Sequence, residues 1–341
     1  MFFIRPVQSE DLEQLFALSQ LQTFINLPAD KAVLKRKINA SIKTFQRPSK
    51  KLEDNYYVFV LIDQSQSKVI GASIIHGKHG TEKEPHFFLS VGVEEKFSKT
   101  LNTGFMHGTL KFGLEKDGYT EIGGLILDPN YRGHIEKLGK QLSFVRFLYM
   151  GTHQEQFTDV IHSELYPPFD SQGNSPLWEA IGRRFLNMDY HDADMLSREN
   201  GEFILSLFPS DTIYGTLLTP EARNAIGKVG PETEPVKRML ESIGFCYTQE
   251  VDPFDGGPHY RARLKDISLI REMKSGNIQF SNDLDFTKLD DYLILISTND
   301  DSFVVIKTTA SLVNDTIMIS SELKNLLKNS STATKSYAIP F

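Results

Sequence analysis

Hydrophobic and polar positions alternate with two different periods in the first part of the chain, and the change of period separates strands from helices. Residues 2–6 are a short apolar run that predicts a strand. The following stretch, "SEDLEQLFALSQ", predicts a helix with Ser9 as its N-cap. Residues 30–46 predict a second helix, because their apolar positions recur every three or four residues. "YYVFVLIDQSQSKVIGASIIHG" then predicts a strand, a polar turn and a second strand.

Further strands and helices alternate through the middle of the chain. Strands are predicted at 85–93, 119–128 and 158–165, with a helix that follows Arg132. The later stretches are assigned in the same way: "SPLWEAIGRRFL" as a helix with Trp178, Ile181 and Phe185 inward, "GEFILSLFP" as a strand, "EPVKRMLESIGF" as a helix, and "CYTQEVDPFDGGP" as a strand that runs into a turn.

From about residue 266 the pattern favours short strands, with one small helix at "SELKNLLKN". We therefore predict an α+β fold with a mixed sheet flanked by helices. Residues 1–265 form its main region, and 266–341 form a smaller β-rich C-terminal appendage. The alternation of strands and helices before and after residue 155 is also compatible with a structural duplication.

Composition narrows the class of protein. The 341 residues are 40% hydrophobic and 24% charged, which is typical of a globular protein. A formal net charge of −7 argues against a nucleic-acid partner. The single cysteine, Cys246, excludes an intrachain disulfide and a cysteine-rich metal site, and no metal site is predicted. With neither an apolar leader nor a membrane span in the sequence, a cytoplasmic location without membrane contact is expected.

The stretch 122–150 combines a buried strand, a basic glycine-containing turn and a helix. Helix N-termini present unpaired N–H groups and a partial positive charge, so this arrangement suits a phosphate. Neither a Walker A loop nor a GxGxxG motif is present. From these residues alone, an ordinary strand-to-helix connection with surface charges remains the alternative.

The order of elements resembles the Gcn5-related N-acetyltransferase (GNAT) layout. An initial strand, two helices and an antiparallel hairpin are followed by a strand that ends in a hydrophobic triplet, and then by a basic turn that opens a helix. The resemblance implies that pantetheine of acyl-CoA lies along the triplet and that its pyrophosphate lies at the turn. The triplet is Leu125, Ile126 and Leu127, and the turn residues are Arg132, Gly133, Gly139 and Lys140.

Several blocks between residue 2 and about residue 271 are similar to the arginine N-succinyltransferase family: "INLPAD", "YVFVLID", "LDPNYR", "LSFVRFLYM", "GNSPLWEAIGRRFLNMDYHDADML", "TIYGTLLTPEARNAIGKV" and "EVDPFDGGP". Leu125 matches the family's succinyl-CoA contact. The resemblance implies succinyl transfer from succinyl-CoA, as co-substrate, to the α-amino group of arginine. It implies no permanently bound cofactor, and it implies a homo- or hetero-oligomer.

Three departures from that family stand out. The basic turn is longer here, and only Gly139 keeps a clear match. Gly230 stands where the family has its proposed proton-donating histidine. Tyr166-Pro167 replaces arginine-glycine after the matched Glu164-Leu165. The proton chemistry must therefore lie elsewhere if the protein is an enzyme.

His162 and Glu164 are the leading candidates for that chemistry. They lie two residues apart in a predicted strand, so their side chains point to one face as a possible base and amine-binding carboxylate. A histidine satisfied within the core is the alternative for His162. Tyr214 is a candidate acid for the leaving thiolate, or an aromatic that packs under the sheet.

Three further side chains have weaker claims. His134 is a candidate near the CoA turn, or a solvated loop residue. Asp252 and Asp255 are interpreted mainly as residues that shape a turn, with guanidinium binding as the alternative. Arginine succinylation is thus the leading function. The alternatives are acylation of another amine and a non-catalytic regulatory or binding member of the family.

Overall fold

The computed structural model describes residues 1–21, 28–197, 200–282, 284–298, 302–325, 327 and 335–341. Within them the strands are β1 Phe2–Pro6, β2 Tyr56–Asp63, β3 Lys68–His79, β4 His86–Ser98, β5 Thr103–Glu115, β6 Tyr119–Leu127, β7 Val160–Glu164, β8 Ile213–Tyr214, β9 Cys246–Val251, β10 Pro258–Arg263, β11 Lys274–Ser281, β12 Asp291–Ser297, β13 Phe303–Thr309, β14 Ser311–Val313, β15 Thr316–Ser320 and β16 Ser336–Pro340. The helices are α1 Leu12–Leu21, α2 Lys31–Gln46, α3 Leu138–Thr152, α4 Pro176–Ala180, α5 Gly182–Leu186, α6 Tyr190–Ser197, α7 Glu202–Leu207, α8 Pro220–Ala225, α9 Glu234–Ser242 and α10 Ser268–Arg271.

The chain forms two compact units. The first contains Met1–Lys78, Thr120–Asp159 and Arg263–Phe341, and the second contains His79–Tyr119 and Val160–Ala262. The chain thus leaves the first unit twice, at residue 79 and at residue 160, and returns to it at residues 120 and 263. The division into a main region at 1–265 and a smaller β-rich appendage at 266–341 stays a prediction, as does the duplication about residue 155.

In the first unit the strands lie in the order β14-β15-β11-β16-β12-β13-β1-β2-β3-β6. β11 pairs in parallel with β15 and antiparallel with β16, so the sheet is mixed, as predicted. Ile4 in β1 lies opposite Val305 on one side and Leu61 on the other. The β-rich C-terminal residues therefore continue the sheet of the N-terminal strand.

Helices α1 and α2 cover one part of this sheet because each presents an apolar stripe. Leu34 and Ile38 of α2 are buried with Leu15 and Leu18 of α1. Asp30 begins α2, and its carboxylate accepts hydrogen bonds from the N–H groups of the first turn, which would otherwise lack partners. The predicted second helix and the predicted hairpin are confirmed.

The second unit has the strand order β7-β10-β9-β4-β5-β8, with the short helices α4 to α9. Its core is built around Trp178, whose ring stacks on Phe254 at 4.8 Å between centroids. The indole N–H donates to the carbonyl of Met188, so this large side chain is buried with its polar atom satisfied.

Several predicted elements were wrong. "GEFILSLFP" contains helix α7, because Ile204 and Phe208 are buried while Leu205 and Leu207 are exposed, which is a helical and not a strand period. Ser9 is no N-cap, since Ser9–Asp11 form a 3-10 turn ahead of α1.

The helix predicted over 175–186 is broken into α4 and α5. Gly182 is needed beside Trp178, because an added Cβ would lie 2.2 Å from the indole ring. Trp178 and Ile181 are buried as predicted, but Phe185 is 55% exposed and does not face the core. Strand β5 was not predicted.

The small helix predicted at 321–329 begins as a 3-10 turn over Ser321–Asn325. Most of its remainder, and residues 25–27 of the "INLPAD" block, lie outside the described residues. Among the helices of the described ranges, none has the length and apolar character needed to cross a membrane.

Candidate active site

Strand β6 is irregular one residue before its hydrophobic triplet. Gly124 has φ +55°, which is outside the β region, and an added Cβ would lie 2.5 Å from Cδ1 of Ile74. Only glycine fits both conditions. Ile126 is buried in the core, whereas Leu125 and Leu127 on the opposite face are partly accessible.

A tight turn leads from β6 to helix α3. Asp128 accepts a hydrogen bond from the N–H of Asn130 and pairs with Lys68 at 2.8 Å, which holds the end of the strand. Gly133 has φ +71° and Lys137 has φ 51°, so the backbone is left-handed at two positions before α3 begins at Leu138. Arg132 and Gly133 are exposed. The structure thus brings the predicted phosphate-binding residues into one strand, turn and helix N-terminus.

Lys140 lies in the first turn of α3, with its ammonium 4.4 Å from the ring centroid of Phe341. Burial, and then the charge of Lys137, lowers the pKa of Lys140. His134 packs its ring on Phe2 at 5.0 Å, and its Nδ1 accepts a hydrogen bond from the N–H of Glu136. These contacts fit the interpretation of His134 as a loop residue.

Arg146, on the third turn of α3, faces the irregularity in β6. Its side chain donates to the carbonyl and hydroxyl of Ser143 at 3.0 and 2.8 Å, and to the carbonyl of Gly123 at 3.5 Å. The residue is 2% exposed, and no carboxylate pairs with it among the described residues. Burial lowers its pKa to about 9, so the guanidinium is still charged at pH 7. Its guanidinium carbon also lies 5.9 Å from the ring centroid of Phe147. A buried charge whose hydrogen bonds to the described residues all go to neutral oxygens is costly and is suited to an anionic ligand.

The second unit contains a cluster of three histidines, which we call the histidine cluster: His86 at the start of β4, His162 in β7 and His259 in β10. Their ring centroids lie 4.8 Å (His86 to His162), 5.0 Å (His86 to His259) and 4.9 Å (His162 to His259) apart. All three side chains are buried. Burial lowers the pKa values of His86 and His162 well below the usual range, and neighbouring positive charges add to this effect. Both are neutral at pH 7.

Glu164 lies at the edge of the histidine cluster. Its Oε1 is 3.2 Å from Nε2 of His162, 3.6 Å from Nδ1 of His86 and 3.8 Å from Nε2 of His259. The Glu164 side chain is 29% exposed, so it is the member of this group that a small molecule can reach from solvent. The predicted proximity of His162 and Glu164 on one strand face is present in the structure.

Arg261 holds His162 from its other side. Its Nε donates to Nδ1 of His162 at 3.2 Å, and its Nη2 pairs with Oε2 of Glu250 at 2.5 Å. The central carbon of the guanidinium, Cζ, lies 4.0 Å above the ring of Tyr119. Because arginine is only a donor, Nδ1 of His162 is an acceptor, and Nε2 carries the proton that faces Glu164. The lone pair of His162 is therefore occupied by Arg261.

Asp252 and Asp255 shape the turn that joins β9 to β10. Oδ1 of Asp252 accepts hydrogen bonds from the N–H groups of Phe254 and Asp255 at 2.7 and 3.0 Å, and Oδ1 of Asp255 accepts from Gly257 at 2.7 Å. Burial, and then the charge of Glu164, raises the pKa of Asp252 to about 8. Burial, and then Asp252, raises the pKa of Asp255.

Gly230 lies against the residues that follow Glu164. Its N–H donates to the carbonyl of Tyr166 at 2.8 Å, and an added Cβ would lie 3.0 Å from the carbonyl oxygen of Pro167. Gly230 is thus close to the end of β7.

Tyr214 is separated from the histidine cluster. It lies in β8, at the opposite edge of the second unit's sheet from β7, and its hydroxyl donates to Glu94 at 2.5 Å. Five strand spacings of about 4.8 Å separate the two strands. The structure does not bring Tyr214 together with His162 and Glu164.

Sequence reasoning missed His86, His259, Arg261 and Arg146 as members of these sites. The first three meet His162 only through the pairing of β7, β10, β9 and β4, and no local spacing indicates that pairing. Arg146 was within a quoted block, and its position among the apolar residues of a buried helix was the available signal.

A protein-family model described as arginine N-succinyltransferase beta subunit matches residues 2–269. The chain belongs to this family. The arginine N-succinyltransferase of Yersinia pestis (strain Pestoides F) is 36% identical over 275 residues, which cover 80% of this chain and 77% of that protein. The arginine N-succinyltransferase of Escherichia coli O139:H28 (strain E24377A / ETEC) is 35% identical over 277 residues, with 80% and 79% covered.

A solved structure, arginine/ornithine succinyltransferase subunit AI from Pseudomonas aeruginosa, matches with a TM-score of 0.83. The match covers 100% of this chain and 98% of that one at 24% sequence identity, so the two share a fold. The family and the fold class predicted from the sequence are confirmed.

The raised pKa of Asp252 predicts how stability changes with pH. The carboxyl is protonated in the folded protein up to pH about 8, but in the unfolded chain only below about pH 4. Its contribution to stability is therefore present at low pH and is lost as the pH rises through 8. Asp252→Asn mimics the protonated form, so we expect it to gain stability over the wild type between pH 5 and 9, on the order of 1–3 kcal/mol.

The measurement is urea unfolding at pH 5, 7 and 9. Asp170→Asn is the matched control, because Asp170 also accepts backbone hydrogen bonds in a turn, but it is exposed and its pKa is lowered. The control should lose stability at high pH relative to the wild type. An unchanged pH slope in Asp252→Asn would contradict a buried, protonated Asp252.

Proposed function

We propose that this protein transfers the succinyl group of succinyl-CoA to the α-amino group of arginine. The observation that carries the proposal is the family match over residues 2–269. The relatives named above are arginine N-succinyltransferases, and they match this chain over 80% of its length. The proposal includes the acyl donor, the acceptor amine and the residues that bind each.

The acyl-CoA binds along β6 and the turn before α3. The accessible face of β6, at Leu125 and Leu127, offers backbone groups to pantetheine beside the irregularity at Gly124. The first N–H groups of α3 have no partners within the helix and favour an anion. Arg132 and Lys140 add positive charge beside them for the pyrophosphate.

Arg146 binds the free carboxylate of the succinyl group. Helix α3 runs back along β6, since it begins after the strand ends and Arg146 still reaches Gly123. Arg146 is nine residues after Lys137, or about 13 Å along the helix from the pyrophosphate end. A donor that reaches along β6 from the turn places its acyl end toward Arg146. A carboxylate there would offset the cost of the buried guanidinium.

Glu164 receives the amine of the acceptor. Attack by the amine nitrogen on the thioester carbonyl carbon forms the amide bond and breaks the C–S bond. The amine must lose a proton, and the CoA thiolate must gain one. Glu164 is the partly exposed carboxylate beside the buried, neutral His86 and His162, and we assign it the amine proton. The proton that Glu164 takes from the amine is then the one that the departing thiolate gains. His162 is a positioning residue, because its proton faces Glu164 and its lone pair faces Arg261.

The test is release of CoA thiol, with the product identified by mass spectrometry. Succinyl-CoA and arginine should give succinylarginine and stoichiometric thiol. Acetyl-CoA and a panel of amines, including ornithine and lysine, should be poorer substrates. If another amine reacts with a higher kcat/KM than arginine, that amine and not arginine is the acceptor. Absence of thiol release with every pair would rule out the acyltransferase proposal.

Arg132→Ala together with Lys140→Ala should weaken CoA binding by a few kcal/mol, at about 1.5–3 kcal/mol for each charged hydrogen bond. Isothermal titration with CoA measures the change. Lys50→Ala with Lys51→Ala is a matched control, because it removes two charges elsewhere on the surface of the first unit. CoA affinity equal to that of the wild type in the first double variant would show that the pyrophosphate lies elsewhere.

A further inference from the structure

We propose that His86, His162, His259 and Glu164 form a site for a divalent transition-metal ion, best suited to Zn²⁺. The four residues offer ligand atoms that all lie within 4.8 Å of one another. Three imidazole nitrogens and one carboxylate oxygen are a donor set that zinc prefers, whereas Mg²⁺ and Ca²⁺ prefer oxygen ligands. The inference goes beyond acyl transfer and does not depend on it.

The distances agree with a tetrahedral ion. Zinc bonds of about 2.0–2.1 Å place tetrahedral ligand atoms about 3.3–3.4 Å apart. The distances from Oε1 of Glu164 to the three histidine nitrogens are 3.2, 3.6 and 3.8 Å, which bracket that value. The four ligand atoms lie within 4.8 Å of one another, so loading the site requires them to close to about 3.4 Å.

The hydrogen-bond inventory of the cluster also points to a cation. Three imidazole nitrogens converge on a single carboxylate oxygen, and each neutral ring has only one N–H to donate. The nitrogens that face Glu164 are Nδ1 of His86 and Nε2 of His162 and of His259. The converging lone pairs of these atoms repel one another, whereas a cation at the centre attracts all of them.

The surroundings of the cluster also suit a bound metal. Buried strands hold the three rings, while the partly exposed Glu164 provides the route of entry from solvent.

Arg261 disfavours metal binding at one of the ligands, His162. Its Nε donates to Nδ1 of His162, so in the metal-free protein Nε2 of that ring carries the proton. Zinc at Nε2 displaces this proton. The other ring nitrogen, Nδ1, ordinarily donates to an acceptor when a histidine binds a metal, but here it faces the guanidinium, which is a donor. Glu250 pairs with Arg261 and offsets its charge. Arg261→Gln removes the charge and supplies an acceptor, so it should bind zinc more tightly than the wild type.

The experiment titrates tag-free, chelator-treated full-length protein with Zn²⁺ against a chromophoric chelator, in the absence of substrates. We expect one zinc per chain and a rise in Tm of a few degrees at zinc about 100-fold above Kd. Co²⁺ in place of zinc should give the intense visible bands of a tetrahedral site, and Mg²⁺ should not compete. His86→Gln with His259→Gln should weaken zinc binding by at least about 100-fold.

His107→Gln is the matched control, because His107 lies in the same unit but forms a hydrogen bond with Thr216, outside the cluster. This variant should bind zinc like the wild type. Glu164→Gln, at a partly exposed position, repeats the test if the double variant does not fold. Wild-type protein that binds no zinc, or zinc binding that survives loss of His86 and His259, would overturn the proposal. Weaker binding in Arg261→Gln would overturn the proposed ligand set. Acyl transfer is measured separately in metal-free protein, so its outcome is independent.

Discussion

Arg146→Met should lower kcat/KM for succinyl-CoA by about 30- to 1,000-fold and leave kcat/KM for acetyl-CoA nearly unchanged. The loss corresponds to about 2–4 kcal/mol, the usual effect of removing one partner of a buried, charge-assisted pair. Methionine fills a similar volume without a charge, so the fold should keep its packing. The wild type should strongly prefer succinyl-CoA, and the variant should lose that preference.

Two further variants make this result specific. Arg146→Lys keeps the charge but loses the planar fork, so it should recover part of the succinyl-CoA activity. Arg5→Met is the matched control, because Arg5 is a partly buried arginine of the same unit that pairs with Asp11 at 2.7 Å. It should lower stability without a change in acyl-CoA preference. Equal losses with succinyl-CoA and acetyl-CoA in Arg146→Met would assign Arg146 a structural role only.

The predicted CoA-binding segment could be located from the sequence because its signals are local. The apolar strand, the Asp-Pro step, the basic glycine-containing turn and the helical period after residue 137 follow one another within 30 residues. Each signal reports backbone geometry that neighbouring residues largely determine. The structure has β6 end at Leu127 and α3 begin at Leu138. The order of these elements was sufficient to predict the fold class.

The histidine cluster could not be predicted in the same way. The period of two in β7 placed His162 and Glu164 on one face, and that part of the site is local. His86 and His259 are 76 and 97 residues away from His162 along the chain, and the sheet order alone brings them to it. The α7 error has a related cause. A short apolar run is compatible with a strand or a helix, and packing around Ile204 decides between them.

The second large effect concerns Glu164. Glu164→Gln keeps the shape of the side chain but removes its charge and its ability to accept the amine proton. We expect kcat/KM for arginine to fall by about 10²–10⁴, the usual worth of a general acid–base group. Steady-state kinetics in metal-free protein, with saturating succinyl-CoA, measure the fall and divide it between kcat and KM. Both should change, because Glu164 binds the cationic amine and takes its proton.

The pH profile of the wild type and the activities of His162 variants show whether His162 is a positioning residue or the base. Burial holds the pKa of His162 well below its usual range, so an imidazole titration between pH 6 and 8 should be absent from the wild-type pH profile. His162→Gln can still donate to Glu164 and should retain more activity than His162→Ala. A pH profile that loses a titration near pH 6.5 in His162→Ala would make His162 the base instead.

Gly230→His tests whether a histidine at position 230, where the sequence resemblance implies one, can restore the activity that Glu164→Gln removes. The new Cβ would lie 3.0 Å from the carbonyl oxygen of Pro167, so the 166–168 segment must move by a few tenths of an ångström to admit it. The hydrogen bond from residue 230 to Tyr166 keeps the new side chain beside the end of β7. In the Glu164→Gln background, Gly230→His should recover arginine succinylation and introduce a titration near pH 6.5, where an unperturbed imidazole ionises. Gly230→Gln is the control without a titratable group, and it should recover nothing. Full activity of Glu164→Gln by itself would show that the amine loses its proton to another group.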